Sequence, residues 1–216
     1  PLYLWISFSF WLALFGFVEC LRRGEEPEIP FRSGTLDPRR YVGTPKTAIV
    51  MPVYNEDPRL VFTNLCAVLD SLEALDRNEW FDAFLLSDTT DPAVWLEEER
   101  IWTLLRASRP SAARIYYRRR DENTGRKSGN IAEFCRRWGG RYRYMEVLDA
   151  DSLIEAETLY EMIRRMEEDE QIGILQVPPV PVNQHSLFAR LQEFSASVYG
   201  KLFTSGYGIW AGTEGN

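Results

Sequence analysis

The sequence has 216 residues, 45% of them hydrophobic, and a formal net charge of -7. That length supports one sizeable hydrophobic core, and the acidic balance argues against a nucleic-acid binder, which shows a basic face. Three cysteines (Cys20, Cys66, Cys135) and one histidine (His185) have no zinc-ligand spacing, so buried thiols in a reducing compartment are expected.

Residues 1–18 carry no charge. About 20 apolar residues cross a bilayer, so residues 1–21 read as the C-terminal part of a transmembrane helix. No basic n-region precedes the run and no small-residue cleavage site follows it, which disfavours a secretory signal. Its all-round apolar surface suits lipid better than a core. Arg22 and Arg23 follow directly, which orients the next segment to the cytoplasm. Residues 22–46, rich in Pro, Gly and charge, read as a cytoplasmic linker.

From residue 47 the pattern alternates between strands and helices. Ala48-Ile49-Val50-Met51 is a continuous apolar run, as expected of a strand covered on both faces. Pro52-Val53-Tyr54-Asn55-Glu56 ends it. Asp57 caps a helix with Pro58 in its first turn, and Leu60, Val61, Leu65, Val68, Leu69 and Leu72 line its inner face. Ala83-Phe84-Leu85-Leu86 is a second strand that stops at Ser87-Asp88. Asp91-Pro92 opens a second helix, with Trp95, Ile101, Trp102 and Leu105 facing inward. Ile115-Tyr116-Tyr117 is a third strand. Residues 118–127 form a basic loop, in which Arg118, Arg119, Arg120 and Arg126 are expected to be mostly solvated. A short helix with Ile131, Phe134, Cys135 and Trp138 stops at Gly139-Gly140.

Residues 144–152 read as a strand that ends in two carboxylates, Asp149 and Asp151. In extended chain, residues two apart point the same way, so this pair can share one hard cation such as Mg2+ or Mn2+. Ser152 and Glu155 have the spacing of a capping box, so a helix should start at once. The alternative for Asp149-Ala150-Asp151 is a polar turn that merely caps this helix. Ile172-Gly173-Ile174-Leu175-Gln176-Val177 reads as the next strand. Residues 184–216 hold an amphipathic helix, with Phe188, Leu191, Phe194, Val198 and Leu202 at helical spacing. It lies either on the domain's core or at the membrane interface.

Alternating strands and helices predict a mostly parallel α/β sheet flanked by helices, which binds ligands at the carboxyl ends of its strands. Asn55, Glu56, Asp88, Asp149, Asp151 and Gln176 all fall at such ends. A cation on Asp149 and Asp151 suits a diphosphate, Asp88 could accept hydrogen bonds from a base or ribose, and Lys127 sits at a helix start where an anion could dock.

The order Pro52-Val53-Tyr54-Asn55-Glu56, Asp88, Lys127-Ser128-Gly129-Asn130, Asp149-Ala150-Asp151, Gln176-Val177-Pro178 resembles that of processive, membrane-embedded family 2 glycosyltransferases, of which cellulose synthase is the familiar example. Longer blocks, such as Arg126-Lys127-Ser128-Gly129-Asn130-Ile131 and Phe134-Cys135-Arg136-Arg137-Trp138-Gly139, are similar to the branch that builds osmoregulated periplasmic glucans.

This resemblance implies a GT-A (Rossmann-like) nucleotide-sugar-binding domain over residues 47–183, preceded by a transmembrane helix in a bacterial inner membrane. It implies inverting transfer from UDP-glucose to a growing β-glucan, with Mg2+ or Mn2+ as cofactor. The lipid bilayer and periplasmic glucan-processing proteins would be the further partners. Pro52, Tyr54, Asn55, Glu56, Asp88, Lys127, Asn130, Asp149 and Gln176 would line the substrate site. Asp149 and Asp151 would hold the metal, and Asp151 is the candidate catalytic residue. The family's general base lies further along than Asn216, and Glu214 comes too early to take that role. The chain is therefore expected to be a fragment that binds donor without polymerising it. A membrane-bound nucleotide-sugar sensor, a metal-dependent phosphatase and a cellulose-type synthase are the alternative readings.

Overall fold

The computed structural model describes residues 2–23, 46–75, 80–108, 114–177, 186, 187, 190, 191 and 199–211. The chain divides into two compact units, residues 34–173 and residues 1–33 with 174–216.

The first unit is a parallel α/β sheet. Its strands are β1 (Thr47–Val53), β2 (Phe81–Ser87), β3 (Ile115–Arg119) and β4 (Tyr144–Val147), in the order β3-β2-β1-β4. The helices are α2 (Pro58–Ala74), α3 (Pro92–Ser108), α4 (Arg126–Arg137) and α5 (Ala156–Glu168), numbered after α1 of the other unit. Every β2 residue is buried, and so is every β1 residue except Pro52, as continuous apolar runs between two helix layers require. On one face Ile49, Met51, Leu85 and Ile115 pack against Leu65, Leu72 and Leu159 of α2 and α5, with Ile101, Trp102 and Leu105 of α3 at the margin. On the other, Ala48, Val50, Phe84 and Leu86 meet Phe134 of α4, with Trp138 and Tyr142 beside it. Each fully buried Leu or Phe contributes about 1.5–3 kcal/mol.

The helix starts follow the sequence. Asp57 accepts from the Arg59 N–H at 2.9 Å and Asp91 from the Ala93 N–H at 2.8 Å, each just before a proline. Leu60, expected on the inner face, is exposed. The capping box at Ser152 does not form. Residues 149–152 make a turn closed by the Ser152 N–H on the Asp149 carbonyl at 3.0 Å. α5 starts only at Ala156, whose N–H is taken by Ser71 Oγ of α2, so a tertiary partner replaces the local cap.

Residues 172–177 form no strand, and Ile174 is 90% exposed. An apolar run signals burial only where a neighbour takes up its ladder, and among the described residues none does. The expected buried thiols are also corrected: Cys20 and Cys135 are exposed and Cys66 is half-buried, and none of the three is in a disulfide.

The second unit holds α1 (Leu2–Arg23) and α6 (Lys201–Ala211). α1 is apolar and long enough to cross a membrane, with mean hydropathy 1.8 over Leu2–Arg22. The two helices touch at glycines. A Cβ on Gly16 would lie 1.8 Å from the Leu202 carbonyl oxygen, and one on Gly206 would lie 1.8 Å from that of Leu12. Phe8 and Trp210 meet edge to face at 5.3 Å on the same contact. Small residues that let helix backbones approach this closely are a feature of membrane helix pairs. The linker residues 24–45, together with Phe188, Phe194, Val198, His185 and Glu214, lie outside the described residues.

Candidate active site

Strand order places β1 between β2, which follows it in the chain, and β4, which comes last. The crevice at the carboxyl ends of β1 and β4 is thus the topological switch point, where open α/β sheets bind ligands. Pro52 helps to open it. β4 pairs β1 only from Thr47 to Val50, and Leu148 N–H adds one bond to the Val50 carbonyl. Residue 52 faces the same side as residue 50, and as a proline it has no N–H to extend that ladder.

Three strand ends deliver the polar residues: Tyr54, Asn55 and Glu56 after β1, Asp88 after β2, and Asp149 after β4. Asp151 lies in the turn that follows, so the extended-chain argument for a shared direction of Asp149 and Asp151 does not apply; both are exposed. Gln176 belongs to the other unit, in residues without regular structure.

Asn55 adopts a left-handed conformation (φ 60°), which Asn tolerates better than most residues. Its amide oxygen accepts from the N–H groups of Thr90 and Asp91, both at 3.1 Å, and its own N–H donates to Thr89 Oγ1 at 3.1 Å. The exits of β1 and β2 are thereby tied together. The Tyr54 N–H bonds to the Glu56 carboxylate, and the Tyr54 ring is exposed.

Asp88 is buried and bound by the Arg120 guanidinium through two parallel contacts, Nε to Oδ1 and Nη2 to Oδ2, each 2.6 Å. Arg120 also donates to the carbonyls of Thr124 (3.1 Å) and Arg126 (3.3 Å). The hydrogen bonds to Asp88 hold its guanidinium above the usual arginine range. Arg118, two residues earlier and so on the same side of β3, points into the fold beside Glu133 at 3.6 Å and donates to the Asn130 side chain. Burial lowers its pKa. Arg119 faces away, stacked over Trp95 at 4.6 Å.

The solvated loop expected for Arg118 and Arg120 is therefore wrong. A carboxylate buried at the end of an apolar strand is costly unless it is paired, and the run of arginines at the end of β3 was the signal in the sequence for a cation to pair it. Asn130, expected to touch substrate, is fully buried; its amide donates to the Leu86 carbonyl at 2.9 Å and accepts from Arg118. It fixes α4 against β2 instead.

α4 begins after Gly125, which is left-handed at φ 72°. Gly129 comes so near this loop that a Cβ would lie 2.1 Å from the Thr124 carbonyl oxygen, which explains the Lys-Ser-Gly-Asn pattern. The turn presents Lys127, whose ammonium pairs with the Asp149 carboxylate across the crevice. Both groups are about half exposed or more, so either can turn to a ligand. Among the described residues no three acidic, histidine or cysteine side chains cluster as a metal-binding group.

The glycosyl transferase family 2 profile matches residues 48–207. The chain belongs to this family. Its α/β sheet, with β1 at the switch point, is a GT-A-like core. Among the family 2 relatives is glucans biosynthesis glucosyltransferase H of Bradyrhizobium diazoefficiens, 44% identical over 98% of this chain. The protein of the same name from Pseudomonas aeruginosa is 43% identical over 97%. This chain spans only 28% and 24% of those two proteins. A solved structure with the same fold is the mannosyltransferase PcManGT of Pyrobaculum calidifontis in complex with GDP-Man and Mn2+. It covers 80% of this chain and 46% of its own, with TM-score 0.55 and 18% identity.

Proposed function

We propose that this family 2 domain binds UDP-glucose at the β1–β4 crevice and, within a longer membrane protein, transfers glucose with inversion onto a growing β-glucan for periplasmic glucan synthesis. The observation that carries the reading is the Lys127–Asp149 pair across the crevice, with Asp88 at the next strand end. The names of the relatives supply the glucan.

Each residue has a task in this reading. Asp88 accepts a hydrogen bond from the nucleoside. Arg120 occupies one lone pair on each of its oxygens and leaves the others available. Lys127 turns from Asp149 to the diphosphate. Tyr54 offers an exposed ring beside the nucleotide. Asp149 and Asp151 would hold Mg2+ or Mn2+. The donor set suits such an ion: two exposed carboxylates would supply hard oxygens, and Asp149 already attracts a cationic group. The ion would neutralise the leaving diphosphate. A carboxylate committed to it is a poor proton acceptor, so another residue takes the acceptor's proton, with Gln176 near the sugar.

In the same reading residues 1–21 lie in the inner membrane, residues 22–46 are a cytoplasmic linker and residues 47–183 face the cytoplasm, where nucleotide sugars are made. Residues 184–216 begin the acceptor side.

Calorimetry of UDP binding with and without Mn2+, on the wild type, Asp149→Asn and Asp151→Asn, tests the site. Manganese should strengthen binding in the wild type and much less in either variant. Equal affinity throughout would remove the metal role from these two residues.

A further inference from the structure

α3 carries a buried carboxylate that the proposed transfer does not use. Glu98 is 2% exposed, and among the described residues no cation lies within ion-pair distance. Both of its oxygens are engaged by hydroxyl groups. Thr89 Oγ1 donates to Oε1 at 2.7 Å and the Tyr117 hydroxyl donates to Oε2 at 2.9 Å. A carboxyl group buried without a cation is expensive, and an apolar residue of similar size would fill the space at lower cost. What the carboxylate supplies is direction.

Thr89 has one hydroxyl hydrogen. Committed to Glu98, it leaves only lone pairs facing the Asn55 N–H at 3.1 Å. Thr89's own N–H is held by Ser87 Oγ at 3.2 Å. Asn55, in its left-handed conformation, then accepts from Thr90 and Asp91. One line of hydrogen bonds thus runs from α3 to the exits of both β1 and β2, and Asp88 sits between its two anchors, Ser87 and Thr89. A non-glycine residue at positive φ persists where its surroundings over-determine it, and here the surroundings are this line.

We propose that Glu98 is a positioning residue for the nucleoside half of the donor, acting through Thr89 on Asn55 and on the loop that carries Asp88. This rests on the nucleotide-sugar reading above.

The test uses the whole chain with Glu98→Gln, Thr89→Val and Thr89→Ser. UDP and inorganic pyrophosphate binding are measured by calorimetry, alongside Tm and amide exchange. Glu98→Gln can donate to Thr89 and so frees its hydrogen to turn toward Asn55. It should weaken UDP binding about tenfold, as loss of one directed hydrogen bond to a charged group does, and leave pyrophosphate within about twofold. Thr89→Val should match it, Thr89→Ser should restore wild-type affinity, and the Glu98→Gln/Thr89→Val double variant should be no weaker than either single one. Exchange at Thr90 and Asp91 should quicken in Glu98→Gln. Wild-type UDP affinity in Glu98→Gln, or equal weakening of both ligands in step with Tm, would overturn the proposal. A wild type that binds no nucleotide would overturn the proposed function instead, and the exchange rates would still decide whether Glu98 controls the loop.

Discussion

Asp88 and Arg120 form a two-pronged ion pair at 2.6 Å with side chains only 4% and 8% exposed, and it joins the exit of β2 to the exit of β3. Removing either partner strands the other. Arg120→Met should destabilise the domain by about 3–5 kcal/mol, as buried pairs do when broken, read as a fall in the urea midpoint. Asp88→Asn, which keeps one acceptor, should cost less and weaken UDP more than pyrophosphate. If both ligands weaken alike, Asp88 does not read the nucleoside.

In the proposed site Lys127, which pairs with Asp149, and a metal ion would compete for that carboxylate. Lys127→Gln should therefore raise the affinity for Mn2+ alone while lowering that for UDP-glucose, because in that proposal the ammonium that screens the carboxylate would also serve the diphosphate. Several-fold shifts in opposite directions are expected from removing one half-exposed charge worth up to about 1 kcal/mol. Manganese titration by electron paramagnetic resonance gives the first number and calorimetry the second. Parallel shifts would show that Lys127 touches only one of them.

The glycine contact between α1 and α6 leaves no room for a side chain, because the obstructing atoms are backbone carbonyls. Gly206→Val should separate the two helices. Cys20 Sγ lies 4.0 Å from Ser205 Oγ, so Ser205→Cys should form a disulfide with Cys20 under mild oxidation. The crosslink should appear on a non-reducing gel in detergent and vanish when Gly206→Val is added. Its persistence would show that the helices meet elsewhere.

Glu161 is held by Arg164 and Arg165 on α5, and the hydrogen bond from Arg164 is the main reason its pKa falls from 4.5 to about 2. A carboxylate with a depressed folded pKa stabilises the fold above its unfolded pKa, and loses that contribution as pH falls toward the folded one. The window here is about pH 4.5 down to about pH 2. Glu161→Gln should cost about 1 kcal/mol at pH 7 and nothing near pH 2, by urea unfolding at each pH. A constant difference across that range would mean that the ion pairs contribute nothing.

Much of this was readable from residue patterns. The apolar runs of β1 and β2, the Asp-Pro helix starts at Asp57 and Asp91, and the places of Asp88 and Asp149 just after β2 and β4 follow from local rules. What failed depended on partners distant in the chain. Ser71 supplied the N-terminal contact of α5 in place of Ser152, and Asp88 drew Arg120 out of solvent. Glu98 looked like one more charge on an acidic helix, since nothing nearby in sequence shows that Tyr117 and Thr89 close over it.

The two outer strands of the sheet differ in how they are guarded. β3 carries Arg118 and Arg119 near its end, and charge along a sheet edge discourages pairing with another chain. β4 presents Met145 and Val147, each more than a third exposed, with Glu146 alone between them. Glu146 faces the layer of α5, where burial raises its pKa, and so offers little repulsion outward. A preparation limited to residues 46–177 would therefore be colloidally unstable through β4. Its yield should improve with Val147→Lys, a change that leaves the crevice carboxylates untouched.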